Sequence, residues 1–464
     1  MEVQNSLMRS MVDIPLDVIH RIFEVSLPTS LPESISTRAD AIKFFSSTPP
    51  YNFAFTCRAW RDVALSSHSL WSSMFFSFDL PGSEDINALR LKIVRHLDRA
   101  GQTPLTIFLR LSSRYNSRPL HSRHIIFLIH SRRATWKRVF LDVDAPIIST
   151  FTLGVGGLQL LEEIRIGSSV KLSVQESTLP SLKCLELEGL AWFDSLVWLG
   201  VAPNLQELGI LNVPLTSMNP WMPQNFFHRS SLRLLRTLRI TRAKRTAQIP
   251  RVVFPVGLAA GVLSHITCHA LCVLDLYLDK IDCHRTLVDF LHRSSPPLEV
   301  LGLDVHFVTQ GDEEDREQLV VDAFSCVPSV RKLRYRGDLD ATACPEIVVR
   351  GLSRNLDGDS SSRILPELEV LELVDVVASI HPFIDIVKVR CQSRVDTQAL
   401  KSVSLFGCFA KPPGELMLME REELGNFEPG DDFSQLPASL SALGEYISAG
   451  MEFRMKQVLD NDRM

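Results

Sequence analysis

Apolar residues along this chain fall into a short pattern that returns many times. Nine segments fit L-x-x-L-x-L with aliphatic substitutions: LLEEIRI (160–166), LKCLEL (182–187), LQELGI (205–210), LRTLRI (235–240), LCVLDL (271–276), LEVLGL (298–303), VRKLRY (330–335), LEVLEL (368–373) and LKSVSL (400–405). WKRVFL (136–141) is a weaker tenth. Counted from Trp136 and then Leu161, the first positions stand 21 to 38 residues apart. That scatter suits an irregular solenoid, not a propeller of fixed blade length. Apolar residues at the fourth and sixth positions predict a short strand with one buried face, and the first Leu turns in from the preceding loop onto the same core. So short a strand cannot bury its face alone, so stacked copies must share a continuous core. Pro180, Pro203, Pro328 and Pro366 stand just before copies and stop the preceding element. Between copies, residues 285–293 and 318–324 carry apolar positions at helical spacing and predict outer helices.

The N-terminal stretch has a different period. In VDIPLDVIHRIFEVSL (12–27), Asp13 can cap a helix whose first turn tolerates Pro15, and Val18, Ile19, Ile22 and Phe23 form a wide apolar stripe. Phe55, Trp60, Val63, Ala64 and Leu65 are expected to share one face of a second helix, with Leu70-Trp71 after a polar break.

These residues carry a resemblance. Ile14-Pro15-Leu16-Asp17 with Val18-Ile19 and Ile22-Phe23 resembles the first half of the F-box motif, with Ile14 and Asp17 where the family usually has Leu and Glu. Cys57-Arg58-Ala59-Trp60 with Val63-Ala64 and Leu70-Trp71 resembles its second half, across a link at 28–51 that is longer than usual. The repeat pattern over roughly 130–410 looks like the irregular leucine-rich repeats, and the layout is similar to the large fungal group of F-box proteins. The resemblance implies an α/β chain: an F-box-like helical module (12–76), a connecting segment (77–130), a leucine-rich-repeat solenoid with a curved parallel sheet and outer helices (131–410), and an acidic C-terminal segment with room for a capping helix (411–464). It also implies a role: substrate receptor of an SCF-type cullin–RING ubiquitin ligase. The module would dock on a Skp-type adaptor, and through it a cullin, by Ile14, Pro15, Val18, Ile19, Ile22, Phe23, Cys57, Trp60, Val63, Leu70 and Trp71. The alternative is a non-ligase interaction scaffold built on the repeats.

The strand pattern also yields a surface map. If the fourth and sixth residues are buried, the third, fifth and seventh point to the open, concave face. Lys332, Arg334 and Arg336 then form one wholly basic rung. With Arg239, Tyr277 and Phe406 they are the candidate target-binding residues, suited to an acidic or phosphorylated protein segment. The competing expectation is that the rung pairs with the acidic run Asp312-Glu313-Glu314-Asp315, itself expected to be a solvated loop.

Composition narrows the rest. The 464 residues are 45% hydrophobic, with 49 basic and 54 acidic residues and a net charge of −5. That suits a large apolar core and argues against a general nucleic-acid binder. The sum hides basic blocks at 99–141 and 229–251, each free of Asp and Glu, and an acidic tail from 411. The longest uncharged apolar run, 255–263, is too short to span a bilayer, so no membrane contact is expected. Nine scattered cysteines and the absence of any Asn-x-Ser/Thr acceptor predict a reduced, intracellular protein of cytoplasm or nucleus. His265, Cys268, His269, Cys272, Cys283 and His284 crowd together, but Cys272 falls inside a predicted strand, so neither metal nor cofactor is expected. The glycines at 154–157 lack the rest of a phosphate loop, and no hydrolase or kinase signature occurs, so no intrinsic active site is expected.

Overall fold

The structure is a computed structural model that describes residues 14–26, 50–79, 83–112, 119–143, 150–153, 158–166, 171–174, 178–188, 198–211, 230–241, 258–278, 281–305, 313–337, 348–349, 352, 364–374, 377–378, 380–392, 400–406, 409–410, 426–427, 443–448 and 451–456. The chain divides into two compact units, Met1–Leu190 with Gly200–Ala202, and Ala191–Leu199 with Pro203–Met464. Each is α/β and built on a parallel sheet.

The first unit begins with helices α1 (Leu16–Val25), α2 (Tyr51–Thr56) and α3 (Arg58–Ser66), then a 3-10 turn (His68–Trp71). Strands β1 (Ser73–Asp79), β2 (Leu105–Ser112), β3 (Trp136–Val143), β4 (Thr150–Leu153), β5 (Glu163–Ile166), β6 (Lys171–Val174) and β7 (Cys184–Glu188) follow, with α4 (Ser83–Ala100) and α5 (Pro119–His130) as the β1–β2 and β2–β3 crossovers. The main sheet runs β1-β2-β3-β5-β7, all parallel, while β4 and β6 form a separate parallel pair. Parallel neighbours need a crossover, which the helices supply here. The segment 77–130, read from sequence as a connection, thus holds a strand and two helices of the sheet itself.

The second unit contains β8 (Glu207–Leu211), β9 (Ser230–Ser231), β10 (Thr237–Thr241), β11 (Ile266–Thr267), β12 (Val273–Leu278), β13 (Val300–Val305), β14 (Lys332–Arg336), β15 (Val370–Val374), β16 (Val377–Ala378), β17 (Ser402–Phe406), β18 (Phe409–Ala410), β19 (Asn426–Phe427) and β20 (Glu452–Lys456). Its helices are α6 (Leu258–His265), α7 (Ile281–Ser294), α8 (Glu313–Ser325), α9 (Ile380–Gln392) and α10 (Gly444–Ser448). The sheet order is β8-β10-β12-β13-β14-β15-β17-β20-β19, parallel except for β19 against β20. The tail beyond residue 411 therefore contributes a sheet strand, β20, beside β17. Helices α7 and α8 cover the two outer segments that showed helical spacing. The acidic run at 313–315, expected in a loop, instead opens α8, where carboxylates favour the helix N-terminus.

The repeats fold as their pattern dictates, with one turn more than the pattern showed. In β10 the fourth and sixth repeat positions, Leu238 and Ile240, are buried while Arg239 between them is exposed. The same alternation gives Leu333 and Tyr335 around Arg334 in β14. The first-position leucine closes a turn back to an apolar residue three places earlier, as Leu182 N–H does to Leu179 O at 3.2 Å and Leu235 N–H to Leu232 O at 3.3 Å. Leu158, Leu179, Leu232, Val327 and Leu365 all fill this extra position and are buried. So is Cys268, three places before Leu271.

Side chains on the helices bind the turns they cover. Arg293 near the end of α7 donates to Leu263 O at 2.7 Å and Ile266 O at 3.1 Å, capping the end of α6. Arg390 near the end of α9 donates to Leu365 O at 2.8 Å and Ile364 O at 2.6 Å, holding a turn in which Leu365 adopts a φ of 49°. Among the described residues, no helix is long and apolar enough to cross a membrane.

Two adjacent leucines separate pattern from composition. Leu235 is fully buried and Leu234 is 46% exposed. Leu235→Ala is expected to cost about 2–5 kcal/mol in urea denaturation, through lost transfer energy and a cavity. Leu234→Ala is expected to cost below about 1 kcal/mol, because its side chain is only half removed from water.

Candidate protein-docking surfaces

Helix α1 begins where Pro15, at φ −54° and ψ 140°, turns its carbonyl onto Val18 N–H and Ile19 N–H at 3.0 and 3.1 Å. Proline suits this place because the N–H it lacks would go unbonded there anyway. The expected cap Asp13 lies outside the described residues. One face of α1 carries Ile19 and Phe23, both buried. Phe23 stacks on Phe53 of α2 with centroids 3.8 Å apart, and Trp60 of α3 stands edge-on to both rings, 5.1 Å from Phe23 and 5.8 Å from Phe53. Aromatic pairs in these geometries add to simple area burial.

The single helical face expected over residues 55–65 is broken. Cys57 is extended, at φ −151° and ψ 173°, and separates α2 from α3. Arg61 closes the break by donating Nε–H to Ala54 O at 2.8 Å. The break turns Phe55 outward, to 74% exposure. Leu70 and Trp71 are fully buried, with Trp71 Nε1 donating to Ala64 O at 2.7 Å. Ile14, Cys57, Trp60 and Val63 are half-buried, and Pro15 is exposed. Of the residues expected to meet a partner, the buried ones instead hold the module together.

Val18 and Ile22 face outward, at 43% and 45% exposure, and Val25 joins them at 70%. They stand at i, i+4 and i+7, one row along the helix. A shallow groove beside them is lined by Asp17, Val18, Arg21, Ile22, Val25 and Ser26. Leu16, Val25, Phe55 and Leu65 are exposed apolar residues that sequence reasoning did not assign to a partner. The signal for Val25 was present as the third member of the row.

The module is tied to the sheet of its unit through a buried histidine. His96 of α4 lies 2.8 Å from Trp71 O through Nε2 and 2.9 Å from the Tyr51 hydroxyl through Nδ1. A carbonyl only accepts, so Nε2 carries the proton and Nδ1 accepts from Tyr51. Burial, opposed by the backbone hydrogen bonds to Trp71 and Ser73 and aided by the Arg99 and Lys92 charges, lowers the His96 pKa to about 4. Arg99 also lies over the Trp71 ring, 4.4 Å from its centroid.

In the second unit, the third, fifth and seventh repeat positions place Arg239, Tyr277, Lys332, Arg334 and Arg336 on one side of the sheet. Phe406 pairs with Val374 in register. The side chains of the acidic run at 312–315 lie outside the described residues, and Lys332 has a carboxylate partner elsewhere. Its Nζ lies 2.6 Å from Glu372 Oε1, one strand on. Arg239 pairs with Asp275 at 3.6 Å. Arg334 is exposed, and among the described residues it has no carboxylate within ion-pair reach.

The histidine–cysteine cluster has structural duties. Burial raises the Cys268 thiol to about 12, against the nearby Arg293 charge. His269 Nδ1 donates to Ser294 O at 2.7 Å. Among the described residues, no three His, Cys, Asp or Glu side chains converge as a metal site. No family model matches this sequence, and no curated protein matches it.

The lowered His96 pKa has a testable sign. The unfolded chain takes up a proton near the ordinary value of 6.5 and the folded one only near 4. The contribution of His96 is therefore whole above about pH 6.5 and is lost as pH falls from there toward 4, by on the order of 3 kcal/mol. Denaturation curves between pH 7 and 4 should show this loss in the wild type and a smaller pH slope in His96→Gln.

Proposed function

We propose that this chain is a substrate-receptor subunit of an SCF-type cullin–RING ubiquitin ligase. Its F-box-like helices hold a Skp-type adaptor, and its leucine-rich-repeat face holds a protein target. The observation that carries this reading is helix α1. It is apolar on two sides: Ile19 and Phe23 lock it into its own module, while Val18, Ile22 and Val25 remain in a row in water. A helix apolar on both sides is ordinarily buried on both. A 10-residue helix with i, i+4 and i+7 anchors suits a groove on another protein. Leu16, Phe55 and Leu65 extend the exposed apolar surface of the same helices.

Catalysis in such an assembly is proximity. The receptor raises the local concentration of a target lysine near a charged conjugating enzyme and contributes no reacting group of its own. The open side of a repeat sheet serves the target half of the task, since its side chains are set by register and free of core duties.

Co-purification with a fungal Skp-type adaptor tests the reading. Each aliphatic anchor contributes roughly 1.5–3 kcal/mol when fully covered. Val18→Asp/Ile22→Asp is therefore expected to weaken the complex at least a hundredfold while leaving the thermal melt unchanged, since both residues are exposed. Phe23→Ala is expected to lower the melt itself. Absence of any complex with the wild-type chain would sink the receptor reading and leave a non-ligase scaffold.

A further inference from the structure

The fifth repeat positions of six neighbouring strands, β8, β10, β12, β13, β14 and β15, read Gly209, Arg239, Asp275, Gly302, Arg334 and Glu372. The order glycine, arginine, acid occurs twice. In the first triplet the pattern closes on itself, because Arg239 pairs with Asp275 on the next strand at 3.6 Å. In the second it does not. Glu372 stands opposite Arg334 in register, but its carboxylate is taken by Lys332 at 2.6 Å. On its other flank Arg334 faces Gly302, which offers no side chain. The room at Gly302 is where the Asp275 carboxylate leans: a Cβ there would stand 2.0 Å from Asp275 Oδ1.

Around Arg334 charged and aliphatic positions alternate: Lys332 and Arg336 flank it on β14, Gly302 and Glu372 stand opposite, and valines occupy the next positions along the neighbouring strands. Val300 on β13 and Val370 on β15 are half-buried, and Val374 on β15 is buried. Val300 and Val370 flank Lys332 in register, and Val374 stands opposite Arg336. A partner segment that covers the nearby valines also excludes water from the Arg334 guanidinium, and a carboxylate it brings there is then screened less than in open solvent. The planar fork also favours two-oxygen acceptors over single ones.

We infer that Arg334 is the anchor for an acidic segment of a partner protein, in which an Asp or Glu flanked by aliphatic residues lies across β13–β15. The incoming carboxylate pairs with Arg334 from the open side, as Asp275 pairs with Arg239 within the sheet, because Glu372 is already held by Lys332. The neighbouring aliphatic side chains then cover Val300 and Val370. This assignment rests on the reading of the repeat face as the target-holding surface, and it names the chemistry that the surface accepts.

The test is selection of a phage-displayed library of random twelve-residue peptides on the full-length chain. The expected result is enrichment of peptides with an Asp or Glu between aliphatic residues. Their affinity should fall at least tenfold on Arg334→Glu and several-fold on Arg334→Gln, with the thermal melt of both variants unchanged. Enriched peptides without an acid, affinities indifferent to both substitutions, or no enrichment at all would overturn it. A duplex oligonucleotide held through Arg334 in place of such peptides would overturn the assignment to a protein segment. Adaptor capture is scored separately on the same variants. Peptide selection that fails while adaptor capture persists sinks only this inference, and the reverse outcome sinks the receptor reading alone.

Discussion

The repeats depend on a backbone step made the same way at each turn. The carbonyl of the second repeat residue accepts two N–H groups from the next copy, those of its second and third residues. Cys272 O takes Glu299 N–H at 2.8 Å and Val300 N–H at 3.0 Å. Glu299 O takes Arg331 and Lys332, Arg331 O takes Glu369 and Val370, and Glu369 O takes Lys401 and Ser402. In the first unit, Glu162 O takes Lys183 and Cys184 in the same manner. A carbonyl has two lone pairs, so the step uses its whole capacity and leaves no buried acceptor unmet. It also brings the second-position side chains of successive copies into a row one strand apart. There Lys137 meets Glu162 at 4.0 Å and Lys401 meets Glu369 at 2.9 Å. Like charges in that row would repel across every step, and signs alternate where charged neighbours meet.

Because this step holds register without help from loop length, the connections between strands are free to vary. Spacings run from 21 to 38 residues, and among the described residues several of them hold a helix, while the six-residue segment keeps its geometry. The helical module solves a different problem. Three short helices make a small core, and an aromatic stack of Phe23, Phe53 and Trp60 supplies much of it. Tyr51, Trp71 and His96 then join that core to the first crossover helix through hydrogen bonds that only a neutral imidazole satisfies in both directions. Internal bracing of this kind lets the outer row of α1 stay apolar without the module losing its shape.

Much of the strand array was legible from residues alone, because alternation of buried and exposed positions is a local property. The buried fourth and sixth positions from β5 to β17 follow from it. Three features were hidden for identifiable reasons. β1 and β2 belong to the sheet, but SMFFSFD and LTIFLRLS are apolar on both sides and lack the leading L-x-x. In them Phe108 and Phe140 of β3 meet across the open side at 6.2 Å, so polar alternation fails. β20 lies beyond a long acidic stretch that masks its pattern. The extra turn position tolerates Leu, Val and Cys, too varied a set to stand out in nine copies. The break at Cys57 was hidden too, since Phe55 and Trp60 fit a continuous helix by spacing.

The site was legible as a set of charges, not as a set of pairs. Lys332 and Arg334 sit two residues apart on one strand, and Glu372 lies within reach of both. Register favours Arg334, which stands directly opposite. Yet the lysine takes the carboxylate, because its flexible stem and compact ammonium can cross diagonally, whereas a planar fork needs the acid in its own plane. Which cation wins depends on side-chain reach and shape, and no spacing rule in the sequence encodes that. The outcome matters more than the count of charges. Had Glu372 gone to Arg334, the exposed cation would be a lysine, a point charge with little geometric preference. With the lysine satisfied, Arg334 is an exposed cation whose shape discriminates among anions, and it stands between Gly302 and the occupied Glu372 carboxylate.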